Sequence, residues 1–256
     1  PQLSRGERIR LRAARFATGL AGPVRSGVVH PFLRWIVHPI LRWVVIPPLE
    51  YIDKALEELH FGKENGACGV FIRGVEGDKL PIDPHFFPIY EEASKLDMPI
   101  CVHASAGNLE MFDLFGRGSS LGQFKFGPIN LFGSLITSEL PKKFPDLRWG
   151  FIEVSAEWLP YVMNHLEIGY QKRDKRWPGA HLLSENRIYV ACQTTDDLPY
   201  ILEHVGDNNI VLGTDYGHND TSSEIDAMRR LKADRKISED SVDKILGRNA
   251  QELYGL

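Results

Sequence analysis

Between residues 41 and 215, six short apolar runs alternate with stretches of helical periodicity, and this alternation restricts the fold more than any other feature. The runs are LRWVVIPP (41–48), ACGVFIRG (67–74), the segment 99–104, RWGFIEV (148–154), RIYVACQT (187–194) and NIVLGTD (209–215). Most are rich in Val, Ile or Leu, as expected of parallel strands buried on both faces. Helices are expected at 49–63, 82–97, 130–143, roughly 156–171 and 196–205, and along the tail after residue 221 with a break near 236–238. Ile52, Leu56 and Leu59 fall at helical spacing. Asp83 is a suitable N-cap, because its carboxylate can accept a free N–H, and Pro84 suits the first helical position. Ser238 is a second such cap. A strand–helix alternation of this length demands a parallel sheet with right-handed crossovers. No Gly-rich phosphate loop follows the first run, so a closed α/β fold, the (β/α)8 TIM barrel, is expected over an open dinucleotide-binding sheet.

The 256 residues suit one large domain, and an apolar content of 43% is enough for its core. A net charge of −4 gives no reason to expect a nucleic-acid partner. Cys68, Cys101 and Cys192 all lie in apolar runs without a CxxC pair, which reads as core packing in a reducing compartment. No apolar run is long enough to span a bilayer, and PQLSRGERIRLRAARF has no signal-peptide apolar region, so a cytoplasmic protein is expected. Charge is uneven. Residues 1–46 hold eight arginines against Glu7, a balance of +7, which leaves −11 on the remainder. Residues 1–40 are therefore taken as a basic, aromatic extension, with the barrel over 41–256. A membrane-surface helix is the sharper reading of the extension. His-Pro steps and glycines interrupt it, which favours a segment that packs on the barrel or on a second subunit of a homo-oligomer. HPFLRWIV (30–37) and HPILRWVV (38–45) repeat one pattern, too briefly for a solenoid.

Polar residues at the C-terminal ends of barrel strands point into the active-site mouth. Four successive runs close on Arg73, His103, Glu153 and Gln193, and the sixth on Asp215, with His218 just beyond. Any one of these can be a loop cap or an ordinary ion pair; together they are better explained as a site. Imidazole and carboxylate both ligate zinc-like ions, so His103 and Asp215 can share one divalent metal. The Gly-rich stretch 105–128 is too long for an ordinary βα connection and reads as a lid carrying Phe112, Phe115, Phe124, Phe126 and Arg117.

GACGVFIRG, DPHFFPIYEEASKLDMPICVHAS, FPDLRWGFIE, NIVLGTDYGH and GRNAQELYGL, in this order from about residue 41 onward, resemble the amidohydrolase-related metal-dependent family that includes aminocarboxymuconate semialdehyde decarboxylase-like enzymes. The resemblance implies a distorted TIM barrel with a divalent metal at the strand ends, zinc first, with manganese or iron as alternatives. It implies that His103 holds the metal and that Asp215 holds it or handles a proton. Glu153 stands where many members have a second His, so it is a further ligand or a base. His218 matches a frequent family His. One departure matters: members begin with a strand ending in His-x-His, and this chain has no His-x-His. Three explanations stand open: a first strand upstream of residue 1, a differently built site, or a barrel without metal. The first is ranked highest, because LRWVVIPP reads as the family's second strand.

The expected function is a metal-dependent hydrolase acting on a small carboxylated or ring-derived substrate through metal-activated water. Asp215, Glu153 and His218 would be catalytic, while Arg73, Arg117 and Gln193 would bind substrate. A non-oxidative decarboxylase of the same family is one alternative, and a non-catalytic barrel that binds a ligand or partner is another.

Overall fold

A computed structural model describes residues 42–116, 118–215 and 226–256. The extension 1–40, Arg117 and His218 lie outside the described residues, as does any strand preceding residue 42.

Six strands run in chain order through one wholly parallel sheet: β1 (Trp43–Val45), β2 (Ala67–Arg73), β3 (Ile100–His103), β4 (Trp149–Ile152), β5 (Ile188–Cys192) and β6 (Ile210–Leu212). Between them lie α1 (Ile52–Glu64), α2 (Phe87–Lys95), α3 (Leu109–Phe115), α4 (Phe126–Ser138), α5 (Leu140–Lys143), α6 (Leu159–Lys172), α7 (Leu182–Glu185) and α8 (Leu198–Val205). After β6 come α9 (Ala227–Asp234), α10 (Glu239–Asp243) and α11 (Asn249–Tyr254). All strand C-termini face one way, as in a (β/α)8 barrel. Among the described residues, β1 and β6 are the two ends of the arc.

Local chemistry sets the helix limits. Asp83 accepts from the His85 N–H at 2.8 Å and starts a 3₁₀ turn that leads into α2. Ser238 accepts from the Ser241 N–H at 3.1 Å, as its cap role requires. The single helix expected over 130–143 is instead two, α4 and α5. Glu139 lies between them with φ +57°, a left-handed backbone that no helix continues through.

The two faces of the sheet are packed by different partners. Val70, Ile72, Ile100, Val102, Trp149, Phe151, Ile188, Val190 and Ile210 share the main core with the intervening helices. Trp149 and Phe151 are fully buried there, against Tyr90 and Phe132. On the other face Tyr189, Ala191 and Val211 pack around Leu253 of α11, with Ile152 and Tyr254 alongside. A Cβ on Gly150 would sit 3.1 Å from Leu253, so the glycine makes room for that helix. Asn249 ties α11 to the sheet by donating to the carbonyls of Asp207 and Ile210.

All three cysteines are buried and free, as core residues should be. Among the described residues no helix is long and apolar enough to cross a membrane.

Candidate active site

The register brings the strand-end residues together. Arg73 pairs with His103 across β2 and β3, and His103 pairs with Ile152 across β3 and β4. Residues paired across a parallel sheet share a face, so Arg73, His103 and Ile152 lie on the side opposite Trp149 and Phe151. Strict alternation along β4 would send Glu153 to the helix side with Phe151. The chain avoids this: β4 ends at Ile152, and Glu153 takes φ +62°. This turn swings the Glu153 carboxylate onto His103 Nε2, where the two form an ion pair. The alternation of β4 therefore does not extend to Glu153.

Three non-glycine residues at these strand ends have left-handed backbones: Glu153 (+62°), Ser155 (+60°) and Asp215 (+49°). Each such residue costs roughly 1–2 kcal/mol. Strain of this kind concentrates at functional sites and needs surrounding structure to hold it.

The imidazole of His103 is fixed from both sides. Nδ1 donates to the carbonyl of Ala104 at 3.0 Å, since a carbonyl can only accept, and Nε2 meets Glu153. Burial works against the charged ring. The hydrogen bond to Glu153, the Ala104 carbonyl and the charges of Glu153 and Asp215 outweigh it, and the pKa lies above its ordinary value. Asp215 is thus close enough to act electrostatically on His103. An imidazole whose Nδ1–H is held by a backbone carbonyl presents Nε2 as its ligating atom, the arrangement metal-bound histidines commonly adopt. With a carboxylate already at that nitrogen and a second one nearby, the donor set has the chemistry of a divalent-metal site. Among the described residues, no three His, Cys, Asp or Glu side chains are grouped closely enough to hold an ion as they stand.

Arg73 does not extend freely into the mouth. Its Nε and Nη2 both donate to Glu76 Oε2, at 3.1 and 2.6 Å, and its backbone N–H donates to Glu76 Oε1. Beside it opens a cavity of about 680 Å³ lined by Tyr51, Phe71, Arg73, Lys79, His85 and Ala104, among others. The Phe71 ring lies 5.0 Å from that of His103, so the cavity reaches the site's flank. A second cavity of about 540 Å³ continues past Arg73 and Ser105 to Asn108 and Phe112.

The long connection after β3 springs from this same end. A Cβ on Gly74, next to Arg73, would lie 2.0 Å from the Gly127 carbonyl carbon and 2.1 Å from Pro128 N. One on Gly107 would lie 2.1 Å from the Val75 carbonyl oxygen. Both ends of the connection are thus pressed onto the segment leaving β2. Between them it forms α3 and a π turn (Leu121–Lys125), leaving Leu109, Leu114 and Phe124 exposed. Phe115 packs edge-on against Phe126.

Gln193 follows β5, and its backbone N–H donates to Asp196 at 3.0 Å. Asp196 itself escaped the sequence reading. Its carboxylate also accepts from the Ser155 hydroxyl (2.7 Å) and the Ala156 N–H (2.8 Å), so it joins the turns after β4 and β5. A charged residue flanked by Thr195 and Asp197 carries no hydrophobic or motif signal that would mark it as buried.

Residues 36–256 match the family model described as amidohydrolase. No curated protein matches the chain by sequence. Among solved structures, an amidohydrolase from Mycobacterium avium subsp. paratuberculosis K-10 superposes with a TM-score of 0.65 at 22% identity, over 82% of this chain and 57% of that one. A 5-carboxyvanillate decarboxylase from Novosphingobium aromaticivorans, complexed with manganese and 4-hydroxy-3-methoxy-5-nitrobenzoic acid, gives 0.65 at 18%, over 81% and 62%. A 2,6-dihydroxybenzoate decarboxylase from Rhizobium gives 0.61 at 21%, over 82% and 69%. The chain spans about three fifths of the length of the first of these structures. A family match that takes in all the described residues, on a wholly parallel sheet, places the chain in the amidohydrolase family.

Proposed function

We propose that this chain forms the catalytic barrel of a metal-dependent enzyme that removes carbon dioxide from a small aromatic or ring-derived carboxylic acid without oxidation. The observation that carries this reading is the His103–Glu153 pair, with Nδ1 locked on the Ala104 carbonyl and the charge of Asp215 close by. His103, Glu153 and Asp215, drawn closer together than they stand, would hold a divalent ion, with manganese, zinc or iron all compatible with nitrogen and carboxylate donors. When bound, the ion supplies positive charge that orients the substrate and stabilises the negative charge that develops. The aromatic walls Phe71 and Tyr51 suit a ring, and Arg73 suits its carboxylate or a neighbouring oxygen once it exchanges its bond to Glu76. As the carbon–carbon bond breaks, its electron pair stays on the ring carbon, which must take up one proton. Asp215 is the group this reading assigns to handling that proton, with His218 as a second candidate. Decarboxylation is preferred to hydrolysis because two of the superposed structures are decarboxylases of aromatic acids.

The test is direct. The purified chain is loaded with Mn2+ or Zn2+ and given 5-carboxyvanillate and 2,6-dihydroxybenzoate while released carbon dioxide is measured; a panel of esters and amides runs in parallel. Carbon dioxide release supports the proposal. Hydrolysis alone moves the assignment to a metal-activated water, with Glu153 or Asp215 as its base. A protein that binds no metal and turns over nothing returns the barrel to a binding role.

A further inference from the structure

The two acidic residues of the site depend on backbone that their own side chains do not favour, and something must hold it. In the turn after β4, Glu153 and Ser155 are both left-handed, while Val154 and Ala156 between and beyond them are fully buried. We infer that Asp196 is the positioning residue for Glu153: its buried carboxylate clamps the β4 exit turn onto the β5 exit turn and thereby sets the Glu153 carboxylate on His103. The inference rests on the metal-site reading for its consequence, though not for its geometry.

The clamp uses both carboxylate oxygens. Oδ1 accepts from the Ser155 hydroxyl at 2.7 Å, and Oδ2 accepts from the N–H groups of Ala156 (2.8 Å) and Gln193 (3.0 Å). Asp196 is only 7% exposed and Ser155 8%, so water offers these donors little alternative. Asp196 is itself seated, because its N–H donates to the Gln193 carbonyl at 3.2 Å and its carbonyl accepts from the Leu198 N–H at 2.9 Å. A second clasp joins the same two turns, where Glu157 accepts from the Asp197 N–H. The Ser155 carbonyl accepts from the Trp158 indole at 2.8 Å, which fixes the far side of the turn. The bonds to Ser155, Ala156 and Glu157 hold the segment just after Glu153, and none of those named touches Glu153 or the His103 ring. Asp196 therefore acts on the site through the backbone, in the way outer-shell carboxylates orient metal ligands.

Asp196→Ala and Asp196→Asn separate this role from bulk and burial. Asn can turn its oxygen to the two N–H groups and its amide to the Ser155 oxygen, so it keeps the clamp. Crystal structures of the metal-free variants read the geometry. In Asp196→Ala the Glu153 carboxylate should leave His103 Nε2, and in Asp196→Asn it should stay. Calorimetric titration with Mn2+ then reads the consequence, with a 10- to 100-fold weaker affinity expected for Ala and an affinity within a few-fold of the parent for Asn. An Asp196→Ala protein that keeps the Glu153–His103 pair overturns the inference. If Asp196→Ala does not fold, Ser155→Ala, which removes a single bond of the clamp, decides on the same two readouts. A parent chain that binds no Mn2+ defeats the metal-site reading, while the crystallographic comparison still decides the clamp.

Discussion

Replacing Gly74 by alanine tests how tightly the long connection is tied to the mouth. Gly74 does not have the positive backbone angle that glycines often serve, so the effect of a methyl group there is one of space. That methyl would meet the Gly127 carbonyl carbon at 2.0 Å and Pro128 N at 2.1 Å, where ordinary contact begins near 3.4 Å. Backbone must move by more than ~1 Å, and both partners are main chain, with no flexible side chain to swing aside. Overpacking of this kind costs typically 1–3 kcal/mol, and the absence of a yielding side chain places Gly74→Ala near about 3 kcal/mol. For a domain of this size each kcal/mol lowers Tm by roughly 2–4 °C, so a fall of about 6–12 °C is expected by calorimetry. Limited proteolysis should also open the 105–128 connection first, since its base is what the methyl disrupts. Gly133→Ala is the control. Gly133 lies inside α4, where a Cβ meets nothing within 4 Å. Alanine there should stabilise by about 0.5–1 kcal/mol. A Gly74→Ala protein with unchanged Tm and unchanged cleavage would refute the claim that β2 and the connection are packed backbone to backbone.

Three further outcomes are expected. Glu153→Gln should stay folded, remove the charge that raises His103 and lower Mn2+ affinity by orders of magnitude; if it loses only thermal stability, Glu153 is a structural residue. Burial pushes the thiols of Cys101 and Cys192 up to about 12, so neither should react with a thiol reagent at pH 8 until denaturant is added, and rapid labelling of the native protein would contradict their placement. Hydrogen bonds and charge from Lys175 and Lys142 lower the Glu139 carboxyl to about 2. A depressed carboxylate contributes stability above its ordinary value of 4.5 that is lost as pH falls toward 2. Carbon-detected NMR titration should find that midpoint, and Lys175→Met should move it upward.

The strands were legible because buried parallel strands leave continuous apolar runs, and their C-terminal residues follow from where each run stops. That reasoning located Arg73, His103 and Glu153 at one end. It did not foresee how Glu153 reaches His103, because alternation within a strand says nothing about the residue after it. A left-handed angle at a glutamate has no sequence signature, unlike one at glycine. Nor was the occupation of Arg73 by Glu76 readable, since a pairing across the turn leaving β2 depends on how that turn folds back. The break at Glu139 was hidden for the same reason. Asp196 was missed because its meaning lies in Ser155 and Ala156, forty residues earlier in the chain.

The placement of α11 has a consequence for how the molecule is made. Gly150, Tyr189, Ala191 and Val211 come from β4, β5 and β6, yet they are covered by Leu253, which a ribosome adds after all three strands. Until that residue is added, this face of β4, β5 and β6 lacks the side chain that packs at its centre. Burial of Leu253 against this face of the sheet therefore comes only after the strands it covers have been made.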